Sequence, residues 1–149
     1  MKYQILKDQT LNYKGVTLYR IQALKGFGEV KKGDLGGWIE KEENLGQEGE
    51  CWVSGDAWVS GDAWVSGNAY VYGNARVFDN AWIFGNARVS GNANVYGNAK
   101  VSGNAKVSGR AWIYGNAYIA YNTEISGDTR ISSTSVLELM QQRMRSITL

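Results

Sequence analysis

The chain has 149 residues, enough for one domain with a sizeable core, and its 16 Lys and Arg against 14 Asp and Glu leave a net charge of +2, too weak a bias for a nucleic-acid or anionic-membrane footprint. It holds no His, one Cys and no Pro, which excludes His triads, His-held metals, an intrachain disulfide and Cys clusters for zinc or iron–sulfur. The opening residues MKYQILKDQTLNYKG carry no apolar h-region, and no run is long and apolar enough to span a bilayer, so a cytoplasmic protein in a reducing compartment is expected.

Residues 3–24 alternate as two strands, YQILK and VTLYRIQAL, with a turn near Lys14-Gly15. They are expected to cover the open edge of the structure that follows. The next segment, KGFGEVKKGD, imitates phosphate-binding loops without being one. Lys31 stands where a dinucleotide fingerprint needs its third Gly, and Asp34 stands where a P-loop needs Lys. In GGWIEKEENLGQEGECWV, Ile39 and Leu45 are six apart and Val53 follows after eight. This reads as a lead-in coil with a two-residue bulge.

From Cys51 the chain repeats every six residues through fourteen uninterrupted hexads, 51–134. The third position is Val or Ile in all fourteen; the first is Ala in eleven, otherwise Cys51, Thr123 and Thr129; the fifth is Gly in eleven. In an extended segment the small first and branched third residues point inward, while the second and fourth point outward. Gly followed by Asn or Asp then turns a corner, because both tolerate left-handed backbone angles. Each segment is too short to bury its own apolar side. Stacked coils, ~4.8 Å apart, can do so together. Cys51 falls at an inward position and reads as a small buried hydrophobe, with no His to activate it.

Beyond Ser135 the pattern changes. Ser135 and Glu138 have capping-box spacing, and Val136, Leu139, Met140, Met144 and Ile147 share one helical stripe. The expected organisation is therefore an amino-terminal β cap and lead-in coil over 1–50, a repeat over 51–134 and a short helix over 135–149.

The hexads resemble the hexapeptide-repeat family. That resemblance implies an all-β, left-handed parallel β-helix with three hexads per coil, in a trimer with roughly parallel axes. The stretch LYRIQALKGFGEVKKGDLGGWIEKEENL is also similar to the lead-in of bacterial and phage hexapeptide-repeat proteins of unassigned function. The more distant hexapeptide acyltransferases typically use a His base and a loop inserted between hexads. This chain departs on both counts, and the zinc site of a related carbonic-anhydrase branch needs His ligands that it lacks. The carboxylates within the repeat are Asp56, Asp62, Asp79 and Asp128 at or beside corners, and Glu124 on a flat face. Corner positions are explained by turn formation and are wet, so no catalytic residue, cofactor or metal is expected.

Folding the repeat by eighteen sorts the outward residues onto three faces. The first carries Trp52, Tyr70, Arg88, Lys106 and Glu124. The second carries Trp58, Arg76, Asn94, Trp112 and Arg130, flanked by Phe78, Tyr96 and Tyr114. The third carries Trp64, Trp82, Lys100 and Tyr118, flanked by Phe84. Ring ladders stabilise sheets, but this much outward aromatic area also points to interfaces. The third face has the least charge, so Trp64, Trp82, Phe84 and Tyr118 are the expected contact between copies of the chain. On the second face, Arg76, Phe78, Asn94, Tyr96, Trp112 and Tyr114 place cations beside rings, as a small anionic or polyhydroxy ligand requires. The function expected is a non-catalytic scaffold holding a nucleotide- or sugar-like ligand at grooves between protomers, by analogy a phage anti-defence protein. An acyltransferase using coenzyme A and a polymer-forming structural protein are the alternatives.

Overall fold

A computed structural model describes residues 1–133; the expected helix over 135–149 lies outside the described residues. Two long antiparallel strands open the chain, β1 (Tyr3–Tyr13) and β2 (Val16–Ala23), followed by β3 (Leu35–Ile39). A 3-10 turn at Glu42–Asn44 comes next. Fourteen two-residue strands follow, from β4 (Trp52–Val53) to β17 (Arg130–Ile131), one per hexad. Each begins at the second position and ends at the third, because Gly-Asn or Gly-Asp corners leave no room for more.

The short strands stack in parallel into three sheets. The first face runs β4 (Trp52–Val53), β7 (Tyr70–Val71), β10 (Arg88–Val89), β13 (Lys106–Val107) and β16 (Glu124–Ile125). The second runs β5 (Trp58–Val59), β8 (Arg76–Val77), β11 (Asn94–Val95), β14 (Trp112–Ile113) and β17. The third runs β6 (Trp64–Val65), β9 (Trp82–Ile83), β12 (Lys100–Val101) and β15 (Tyr118–Ile119). Partners are eighteen residues apart, as with Val77, Val95 and Ile113. The chain is a parallel β-solenoid of triangular section, consistent with the left-handed β-helix.

The inward assignment follows the hexad pattern. Every third-position Val or Ile is buried, and so is every first-position residue from Cys51 to Thr123, with Thr129 half-buried at the last coil. At the corners, fifth-position glycines take φ between +61° and +68°. Stacking makes this column tight: a Cβ on Gly85 would sit 2.9 Å from the Gly103 nitrogen. Asp79 and Tyr121 adopt the same left-handed angle without being Gly, with φ of +58° and +60°.

Before the repeat, Ile39 pairs with Val59 and Leu45 with Val65, each twenty residues on, whereas Val53 pairs with Val71, eighteen on. The two extra residues of the lead-in coil therefore lie between Leu45 and Val53. The hairpin β1–β2 joins the second face through β3, antiparallel to β2 and parallel to β5. Gly36 and Gly37 permit the approach. A Cβ on Gly36 would lie 2.6 Å from Ile21 Cγ1 and 2.7 Å from Trp52 Cζ2, and one on Gly37 would lie 2.6 Å from the Ala57 carbonyl oxygen.

The amino terminus seals the first coil with polar bonds. The Lys2 ammonium is buried and donates to the carbonyls of Cys51 (2.7 Å) and Gly49 (3.3 Å), while reaching Cys51 Sγ at 3.3 Å. Burial lowers its pKa, against an opposing pull from Cys51. The Tyr3 hydroxyl donates to the Leu45 carbonyl (2.6 Å) and lies 3.0 Å from that of Glu42. Among the described residues of the repeat, three outward ones are buried, the fourth-position Ser60 and Ser102 and the second-position Trp52. Trp52 is 3% exposed, because Phe27 and Tyr3 pack edge-on against it at 5.2 and 6.3 Å.

Candidate functional site

The second face carries a concavity at its amino-terminal end. The hairpin does not stop at the sheet edge. Between Leu6↔Arg20 and Thr10↔Tyr19 the register shifts by three residues, so β1 bulges and the tip at Tyr13–Lys14 reaches over the face. Lys14 takes φ +49° and Gly15 +83°, which closes the tight turn. The result is a cleft of about 560 Å³ between the tip and the first coils. Tyr13, Lys14, Val16 and Leu18 line it from the hairpin; Trp58, Ser60, Arg76, Phe78, Asp79 and Asn94 line it from the face, with Glu40 and Gly61 at its edge.

Its polar groups are sorted. The Arg76 guanidinium lies over the rings of both Tyr13 and Trp58, 5.3 and 5.5 Å from their centres. Lys14 Nζ is 5.4 Å from the centre of the Tyr13 ring. The cleft's carboxylates hold backbone amides instead: Glu40 accepts from the Gly61 N–H at 2.6 Å, and Asp79 from the Gly97 N–H at 3.1 Å. Among the described residues the ion pair present is Lys41–Asp62 at 2.8 Å, outside the cleft.

Of the residues singled out for a ligand, Arg76, Phe78 and Asn94 line the cleft. Tyr96, Trp112 and Tyr114 lie one and two coils further along the same face. Phe78, Tyr96 and Tyr114 stack in series, at 4.9 Å and 1° and then 5.3 Å and 8°. Burial raises the Tyr96 pKa, and Tyr114 adds to the shift. Trp112 meets Tyr96 edge-on at 6.3 Å and carries the Arg130 guanidinium 4.2 Å from its ring centre. An aromatic row thus leads away from the cleft down the helix. The sequence reading missed Tyr13, Lys14, Val16, Leu18 and Trp58 as cleft residues. Outward Trp58 carried some signal; the four hairpin residues carried none, since hexad spacing says nothing of where a hairpin tip lands.

On the third face, Trp64 and Trp82 stack at 5.1 Å and 6°, and Phe84 lies 4.2 Å from Trp82. Ser66 Oγ accepts from the Trp82 indole N–H at 3.1 Å, and Lys100 Nζ lies 5.8 Å from the Trp82 ring. Tyr118 lies beyond Lys100 in the column, and its hydroxyl accepts from Ser102 Oγ at 3.3 Å. Trp64 and Tyr118 are 44% and 47% exposed, while Trp82 and Phe84 are half-buried by their own neighbours. Mutual stacking therefore accounts for much of the aromatic area that the sequence alone left wet.

The candidate bases of the repeat are all in water: Asp56, Asp62, Asp79, Asp128 and Glu124 are exposed. Asp62 is held below the ordinary carboxylate range by its hydrogen bond from Lys41, the opposite of what a general base needs.

Comparison with known proteins agrees with the repeat. The family described as "YdcK Beta solenoid repeat" matches residues 69–83 and 81–97. Over these coils the β-solenoid described above is similar to that repeat family. A relative named "Uncharacterized acetyltransferase YdcK", from Escherichia coli (strain K12), is 39% identical over 59 residues, which is 35% of this chain and 18% of that protein. The similarity therefore spans under a fifth of the relative's length. The family matches fall within coils whose outward residues include Arg76, Phe78, Trp82, Phe84, Asn94 and Tyr96. Among the described residues of this β-helix protein, no helix is long and apolar enough to cross a membrane.

Proposed function

We propose that this β-helix is a non-catalytic scaffold that holds a small nucleotide- or sugar-like ligand in the cleft between its hairpin tip and second face, and associates with copies of itself through the third face. The cleft carries this reading. Its size falls in the range of small-molecule sites, and its walls are mostly apolar and aromatic with a few convergent polar groups, as such sites require. A phage anti-defence role, with a nucleotide signal as the ligand, is a special case of the same reading. The absence of His, the uninterrupted hexads and the wet carboxylates support the non-catalytic part.

A thermal-shift panel of nucleotides, sugars and aromatic acids tests the binding. At least one compound should raise the melting temperature, and Tyr13→Ala should abolish that rise without changing the fold. A rise that persists unchanged in Tyr13→Ala places binding elsewhere and defeats the proposal.

The acetyltransferase reading is the second, favoured by the printed name of the E. coli relative. Acyl transfer from a thioester needs a base to take the acceptor's proton, a contribution of ~10²–10⁴-fold. No release of free coenzyme A above background is expected from acetyl-CoA with amine and hydroxyl acceptors. Acceptor-dependent release, lost on changing one repeat carboxylate, would promote this rival over the scaffold.

A further inference from the structure

Resting on that reading of the cleft, we infer that its ligand is a flat heteroaromatic compound bearing a phosphate group, as in the class of nucleoside monophosphates, rather than a neutral sugar. Two cations face the cleft, Lys14 and Arg76, both within 5.4 Å of the Tyr13 ring centre. Neither has a carboxylate within ion-pairing distance among the described residues. Glu40 and Asp79 also line the cleft and keep their charge while accepting from the N–H groups of Gly61 and Gly97, but neither is ion-paired to Lys14 or Arg76.

The way Arg76 is held matters. Its guanidinium lies 5.3 and 5.5 Å from the ring centres of Tyr13 and Trp58, which are themselves 5.4 Å apart, so both rings sit to one side of it. With rings on one side and no ion pair among the described residues, its N–H donors are left for a forked contact with an anion. A phosphate monoester, with a charge of about −1.5 to −2 at neutral pH, matches two unpaired cations better than a single carboxylate does. The walls supply the other half. Trp58, Phe78 and the aliphatic Val16 form an apolar slot for a planar body, with the buried Leu18 behind it. Asn94 offers both a donor and an acceptor at its edge. A neutral sugar would use the rings and leave both cations without a partner.

Calorimetric titration with AMP, adenosine and inorganic phosphate tests this, using the full chain. In the wild type AMP should bind at least about 10-fold more tightly than adenosine, with inorganic phosphate weaker than either. In the double variant Lys14→Met/Arg76→Met that preference should shrink to under about threefold. Both side chains are exposed, so the fold should survive the change; unchanged β-sheet circular dichroism confirms it. The single variant Arg76→Lys keeps the charge but loses the fork, and should give an intermediate preference. Equal binding of AMP and adenosine by the wild type overturns the phosphate assignment while leaving the cleft as a binding site. An AMP preference undiminished in the double variant overturns it too, by placing the anion elsewhere. If neither AMP nor adenosine binds, the inference falls; the scaffold reading then survives only where another compound gives a thermal shift that depends on Tyr13.

Discussion

Tyr3 shows how single residues secure the amino-terminal end. Its ring is fully buried, and its hydroxyl serves the carbonyls of Leu45 and Glu42. Tyr3→Phe leaves those carbonyls short of a donor and should cost about 1–3 kcal/mol near neutral pH. The pH dependence has a definite sign. Burial chiefly, with Glu42 next, raises the Tyr3 pKa above its ordinary value of 10.0. The unfolded chain therefore loses this proton first, and the native state loses stability as pH rises above about 10. The Phe variant lacks this component, so the stability gap between the two should narrow from pH 9 to pH 11 in denaturant melts. A gap that widens over that interval would show that the hydroxyl ionises more easily in the folded state.

At the scale of elements, the hairpin depends on a close approach of backbones. Gly36→Ala would place a methyl carbon 2.6 Å from Ile21 Cγ1 and 2.7 Å from the Val53 carbonyl oxygen. The expected cost is about 1–3 kcal/mol, with amide exchange rising in β1 and β2 before the repeat. Gly26→Ala is the control: its Cβ would meet only the Val30 carbonyl oxygen, at an ordinary 3.5 Å, and stability should change by less than about 0.5 kcal/mol. Equal effects at the two positions would contradict the packing described here. The same elements show what could be read from sequence. The hexad column from Val53 to Ile131 made the inward side, the corners and the three faces legible, because period and burial are the same physical fact in a stacked coil. The two-residue excess before Val53 was legible for the same reason. The cleft was not. It depends on a three-residue register shift within β1, which alternation cannot locate, and on a tip that contacts residues some sixty positions away in the chain. The burial of Trp52 escaped likewise, since Phe27 reaches it from a loop without periodicity.

For the whole molecule, the question is what covers the rings that stay exposed. Trp64 and Tyr118 present the third face to solvent, beside the half-buried stack of Trp82 and Phe84. Trp82→Glu should shift the light-scattering mass toward monomer while β-sheet circular dichroism persists. A wild-type protein already monomeric at high concentration would end the proposal of assembly through this face. The central claim is that the hairpin turns one face of a β-helix into a site for a small molecule. Native mass spectrometry of the protein purified from its natural host tests it most directly, because subunit number and any retained compound appear together. The account predicts an oligomer carrying one small molecule per chain, and loss of that molecule from the otherwise intact Trp58→Ala protein. A retained compound that stays bound at full occupancy in Trp58→Ala, or a wild-type protein free of any compound that also takes up none from the nucleotide and sugar panel, would contradict it.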